Sequence, residues 1–110
     1  MAINSRNKGK RAELNLAKKL REYGFDARRG VQYSGANGDA DVLGLPNIHI
    51  ECKAVEKLNI LDAMAQSIHD SREGEIPVVI HKKNHTDWHI TMKLDDFISI
   101  YKESEFNGGE

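Results

Sequence analysis

The stretch Asn47–Val55, NIHIECKAV, alternates apolar Ile48, Ile50 and Cys52 with His49, Glu51 and Lys53. That is the period-two pattern of a strand with two distinct faces, and it sets a carboxylate and an ammonium two residues apart on the polar one. Upstream, Asp41 opens the apolar run VLGL, and Asp39, Asp41 and Leu43 share one parity along it. The intervening LPN is short enough for a hairpin, which would make Asp41 and Glu51 neighbours on one face of a sheet. A third carboxylate, Glu13, falls within the apolar stripe of a helix. Seven residues at about 100° each bring Leu20 back to within about 20° of it. If that helix packs on the polar face of the strand, Glu13, Asp41, Glu51 and Lys53 converge.

Taken singly, these residues have an ordinary reading. Glu51 and Lys53 would be a same-strand pair on a wet face, which contributes little, and Glu13 would lie at the edge of its stripe. Taken jointly they do not. A buried unpaired carboxylate costs several kcal/mol, against a total stability of about 5–15 kcal/mol. A divalent cation removes the conflict. Oxygen ligands from two or three carboxylates, with water completing the sphere, suit Mg²⁺. Such an ion activates water and offsets charge developing on a phosphate, while a neighbouring lysine orients the water or neutralises the oxyanion. This is the equipment for phosphodiester hydrolysis. Asp39 is a competing ligand of the same parity; Asp41 is preferred because it directly precedes the strand VLGL.

The elements that must position these groups are legible in outline. GKRAELNLAKKLREYGF predicts a helix from about Gly9 to Tyr23, stopped by Gly24, with Leu16, Ala17 and Leu20 inward. DARRGVQ reads as a short polar strand, SGANGD as a glycine-rich loop or hairpin tip, and ADVLGL as a strand before the LPN turn. ILDAMAQSIHDSRE predicts a second helix with Asn59 as N-cap and Ile60, Leu61, Met64, Ala65 and Ile68 inward. IPVVIHK is a nearly continuous apolar run, as for a central strand, DWHITMK a final strand, and LDDFISIYKE a closing helix with Leu94, Phe97, Ile98 and Tyr101 on one side. The expected order is helix, three strands, helix, strand, strand, helix: an α/β domain with a mixed sheet flanked by helices. One domain spans 1–103, and the tail 104–110 is expected to be disordered.

At 110 residues the chain can bury one core. The single cysteine, Cys52, excludes a disulfide framework or a cysteine-built zinc site. With 39% hydrophobic and 30% charged residues, no membrane-length apolar run and no signal-peptide pattern at the N-terminus, a cytoplasmic location without membrane association is expected. Charge is asymmetric. Residues 1–30 hold nine Lys/Arg against three Asp/Glu, while the other 80 hold seven against fourteen. A net charge of −1 argues against indiscriminate nucleic-acid binding, yet the basic N-terminal part can offer one face to a phosphate backbone or be simply solvated.

The spacing of Asp41, Glu51 and Lys53, preceded by the helical Glu13, resembles the PD-(D/E)xK nuclease superfamily. More narrowly, GKRAELNLAKKLREYGFDARRG, YSGANGDADVLGLPNIHIECK and EIPVVIHKKN resemble small phage and prophage proteins similar to Holliday junction resolvases, relatives of the archaeal resolvases. The resemblance covers about residues 5–102. It implies a restriction-endonuclease-like core (αβββαββα) and a metal-dependent DNA endonuclease, located in a bacterial host cell if phage-encoded. Glu13, Asp41 and Glu51, with the backbone carbonyl of Cys52, would bind Mg²⁺ or Mn²⁺, and Lys53 would be catalytic. It further implies branched DNA, most simply a four-way junction, as substrate, a homodimer that places two nicks, and no nucleotide cofactor. Flaps, ends or ordinary duplex are alternative substrates, and a weakly active DNA-binding module is the alternative role.

Ser34 in YSG matches a loop serine that lies near the scissile phosphate in archaeal resolvases. The proline that usually precedes the first aspartate is Ala40 here, and the tyrosine of a QxxxY motif starting at Gln66 is Asp70. Lys8, Lys10 and Arg11 on the basic helix, and Arg28 and Arg29 before the glycine-rich loop, are candidate phosphate contacts. Lys82 and Lys83 in HKKNH either grip a phosphate or solubilise a turn. The five histidines show no recognised ligand spacing and are expected to be satisfied or exposed.

Overall fold

The computed structural model describes residues 5–30 and 40–108, with side chains from Asn7 onward. Helix α1 (Ser5–Glu22) is followed by β1 (Arg28–Arg29), β2 (Val42–Leu43), β3 (Ile48–Ala54), α2 (Ile60–Asp70), β4 (Ile76–Lys82), β5 (His89–Met92), α3 (Leu94–Glu103) and a short 3₁₀ turn (Glu105–Asn107). The expected order of elements holds. The strands form one five-stranded mixed sheet in sequence order, antiparallel at β1–β2, β2–β3 and β4–β5 and parallel at β3–β4. The parallel pair is joined by α2, since a parallel crossover needs a long connection.

Helix α1 starts at Ser5, four residues before the expected start, and its last turn is closed by Gly24 at φ +100°. Arg21 donates to the carbonyl of Ala27 at 2.8 Å, tying the chain that leaves the helix. As the pattern predicts, Leu16, Ala17 and Leu20 are buried, together with Ala12. They pack on Val42, Ile50, Cys52, Val78 and Ile80, which makes this the main core. Helix α1 therefore lies on the apolar face of β3, not on the Glu51 face. The alternation of β3 requires this, because Ile50 and Cys52 must meet the apolar stripe.

The Glu51 face is covered by α2. Asn59 caps that helix by accepting from the N–H of Asp62 at 3.1 Å, as expected. Its inward phase is different: Ala63, Met64 and Ser67 are buried, while Leu61 is 77% exposed and Ala65 and Ile68 are also exposed. The buried Ser67 hydroxyl donates to the carbonyl of Val78 at 2.9 Å and lies 3.4 Å from that of His49. A polar side chain thus sits at the centre of the helix–sheet contact and joins α2 to both parallel strands.

Two differences concern the ends of the chain. Leu94, Phe97, Ile98 and Tyr101 of α3 are all exposed, so this helix does not close over the sheet as expected. In the tail expected to be disordered, residues 105–107 make a 3₁₀ turn, and the Tyr101 hydroxyl donates to the carbonyl of Phe106 at 3.1 Å. Among the described residues, the β1–β2 pairing comprises Arg28–Arg29 and Val42–Leu43; residues 31–39, which include SGANGD and Asp39, lie outside the described residues.

Candidate active site

Asp41 stands immediately before strand β2 and begins the site. Its backbone N–H donates to the carbonyl of Ile50 at 2.9 Å, and its own carbonyl accepts from the N–H of Gly30 at 2.8 Å. Its carboxylate Oδ2 accepts from the N–H of Cys52 at 2.8 Å. Continuing the Val42–Ile50 register would place Ala40 opposite Cys52. The side chain of Asp41 serves that N–H instead, which fixes the carboxylate against the backbone between Glu51 and Lys53. Gly30 makes the arrangement possible. A Cβ there would stand 1.9 Å from the carbonyl oxygen of Ala40, so only glycine allows β1 to approach this closely.

Glu51 and Lys53 follow on β3, with Lys53 Nζ 3.7 Å from Glu51 Oε2. Glu51 is buried, and burial, the Asp41 charge beside it, and weaker contributions from Asp70 and Glu13 push its carboxyl up to about 7 against the pull of Lys53. Glu13 reaches the group from α1. Arg29 Nε donates to Glu13 Oε1 at 2.7 Å. Burial nevertheless raises the Glu13 carboxyl above its ordinary value, with Asp41 adding to the effect and Arg29 and Lys53 opposing it. Asp41, Glu51 and Lys53 are thus brought together, and Glu13 joins them from the α1 side of the sheet. Cys52 sends its side chain into the α1-side core, and burial holds the thiol protonated, so only its backbone is available to the site.

The candidate phosphate contacts fall on three elements. Lys10 and Arg11 are exposed and Lys8 half-buried on the first turns of α1, close to Glu13 in sequence. Arg28 and Arg29 are exposed on β1 next to Asp41. Lys82 and Lys83 lie at the end of β4, which pairs with the end of β3 at Lys53 and Ala54. Lys82 Nζ stands 5.6 Å from the centre of the Trp88 ring. From Lys53 a groove of about 350 Å³ runs along α2, lined by Asn59, Asp62 and Gln66 among others. Ser34 lies outside the described residues.

Sequence reasoning missed two residues. His49 is 3% exposed on the same face of β3 as Glu51, and Asp70 ends α2 directly above them. One ligand atom from each of His49, Glu51 and Asp70 lies within 4.8 Å of the others, and this is the ligand group of that closeness among the described residues. Burial lowers the His49 ring below its ordinary value despite the neighbouring Glu75 and Asp70 charges. Its parity with Glu51 was the available signal, together with Asp70 standing one helical turn after Gln66. Gln66 Nε2 donates to Asp70 Oδ2 at 2.6 Å. The buried carboxylates, their mutual repulsion and hard oxygen donors fit a divalent cation.

Residues 4–107 match the model of the family described as "Phage putative PDDEXK endonuclease". No curated protein matches the sequence. Among solved structures the fold is similar to that of Archaeoglobus fulgidus Hjc, described as a Holliday junction resolvase from an archaeal hyperthermophile. The TM-score is 0.59 at 22% identity, over 74% of each chain.

Proposed function

The chain belongs to the phage PD-(D/E)xK endonuclease family, and from that premise we propose that it is a divalent-metal-dependent nuclease of branched double-stranded DNA that resolves four-way junctions as a homodimer. The observation that carries the catalytic part is Glu51. It is a carboxylate that burial, and then the Asp41 charge, push up to about 7, with Lys53 at 3.7 Å, on a strand whose next N–H is fixed to Asp41. Asp41 and Glu51, with Glu13 and the Cys52 carbonyl, would hold Mg²⁺ or Mn²⁺. The bound ion supplies water activation and charge for the phosphoryl oxygens. Asp41 keeps its orientation through the Cys52 N–H, which limits reorganisation during the reaction. The Lys53 ammonium, partly exposed beside Glu51, meets the scissile phosphate and offsets the charge that builds on it. Arg28, Arg29, Lys8, Lys10, Arg11, Lys82, Lys83 and the loop residue Ser34 contact flanking phosphates, which position a duplex without reading its sequence. Similarity of fold to the archaeal resolvase supports junction DNA as the substrate. The exposed apolar side chains of α3 support self-association.

Cleavage is tested with Mg²⁺ on a four-way junction, a flap, a linear duplex and a single strand of matched sequence, with Glu51→Ala and Lys53→Ala as controls. Paired nicks on the junction are expected, lost with Glu51→Ala and slowed about 10²–10³-fold with Lys53→Ala, with binding retained in both. Cleavage restricted to the other substrates would keep the nuclease and discard the junction. Wild-type rates in either control would refute the site.

A further inference from the structure

The geometry points to a second cation position in this chain, built by His49, Glu51 and Asp70 and selective for a borderline transition ion such as Mn²⁺ or Co²⁺ over Mg²⁺. It shares Glu51 with the nuclease site proposed above and lies on the α2 side of the sheet, away from Glu13 and α1. Three observations support it. The ligand atoms of the three residues already lie within 4.8 Å of one another. His49 is 3% exposed, and its Nε2 is fully buried with no hydrogen-bond partner among the described residues. Buried polar atoms are normally paired, and an orphan nitrogen on a histidine of this group is a donor open to a cation. The other ring nitrogen, Nδ1, faces Glu75 Oε1 at 3.7 Å. A carboxylate on that side of the ring can orient it and leave Nε2 to a metal.

Asp70 is likewise prepared. Gln66 Nε2 holds Oδ2 at 2.6 Å and His69 Nδ1 lies 3.0 Å from Oδ1, so the carboxylate is oriented while each oxygen keeps a lone pair for a ligand bond. The presence of imidazole in the donor set decides the ion class. Oxygen-only sites suit Mg²⁺, whereas nitrogen raises affinity along the first transition series.

Mn²⁺ binding to the intact chain, without DNA, tests this by pulsed electron paramagnetic resonance and titration calorimetry. Wild-type protein should show ¹⁴N coupling from a coordinated imidazole and bind Mn²⁺ more tightly than Mg²⁺. His49→Gln should remove the coupling and weaken Mn²⁺ binding at least tenfold, and Asp70→Asn, at a half-buried helix end that leaves the core intact, should weaken it severalfold. Asp41→Asn should abolish cleavage yet keep the coupling. Absence of nitrogen coupling in wild type, or its persistence in His49→Gln, overturns the proposal. Because the readout is metal ligation, loss of the nuclease reading with the coupling present leaves this site standing, and cleavage without coupling removes this site alone.

Discussion

At the scale of single residues, the site is a set of carboxylates that the fold forces together, and its consequence is a pH dependence. Glu51 has its carboxyl raised from an ordinary 4.5 to about 7, mainly by burial and by Asp41. Between those values the folded chain binds more protons at this group than the unfolded chain, so its contribution to stability falls as pH rises. The contribution is fully present below about pH 4.5 and lost as pH passes 7. Burial of His49 acts in the opposite sense, because a ring kept neutral is favoured as pH rises through 6.5. A comparison of wild type with Glu51→Gln isolates the carboxylate. In chelator, the variant should melt at progressively higher temperature relative to wild type from pH 5 to pH 8, and a saturating divalent ion should reverse the order. Equal melting temperatures across that range would mean that Glu51 is not destabilised by its neighbours. The juxtaposition of Asp41, Glu51 and Lys53 was legible from strand parity and spacing alone. Gly30 was not, because its importance is a 1.9 Å clash with a carbonyl ten residues away in sequence. His49 and Asp70 were missed for a related reason: spacing within one element does not reveal a cluster assembled from a strand and the far end of a helix.

Elements position these residues, and here the sequence was read correctly for kind and order but not for phase. The helix over residues 60–70 has two candidate apolar stripes, and Leu61, Ala65 and Ile68 belong to the one left outside. What selects the other is Ser67. Its hydroxyl reaches the carbonyls of Val78 and His49 on the two parallel strands, a long-range hydrogen bond that no hydrophobic pattern contains. Helix α1 does not take the face that its Glu13 would have allowed, for an equally physical reason. Its expected partner was inferred from Glu13, whereas its buried area comes from Leu16, Ala17 and Leu20, and apolar burial decides the packing. Ser67→Ala should therefore destabilise the chain by about 1–3 kcal/mol, the cost of leaving buried polar groups without a partner. The melting temperature should fall by several degrees, and Mn²⁺ binding should weaken as α2 loosens above His49 and Glu51. If Ser67→Ala is neutral in thermal unfolding, the α2 contact is held by Ala63 and Met64 alone.

On the scale of the whole molecule, the charge and the apolar surface lie in different places, and each suggests a partner. The candidate basic residues lie on α1, on β1 and at the end of β4, whereas Leu94, Phe97, Ile98, Ile100 and Tyr101 are exposed on α3, and Ile90 and Phe106 are exposed beside it in sequence. Solitary exposed apolar residues are ordinary, whereas several on one helix are the surface on which the homodimer proposed above would rest. A symmetric pair of chains would bury the same face twice, and a stable interface needs about 1,200–2,000 Å² in total. Helix α3 with its 3₁₀ turn is placed to supply the apolar centre of such an area. Wild type should sediment at twice 12.4 kDa at micromolar concentration, and Phe97→Glu with Tyr101→Glu should sediment as a monomer that stays folded, because neither residue belongs to the core. On a four-way junction the monomeric variant should retain single nicks and lose their pairing, since two coupled cuts require two linked sites. A dimer unaffected by these substitutions would place the contact elsewhere on the chain. A wild-type monomer in both free and junction-bound protein would remove the homodimer from the mechanism.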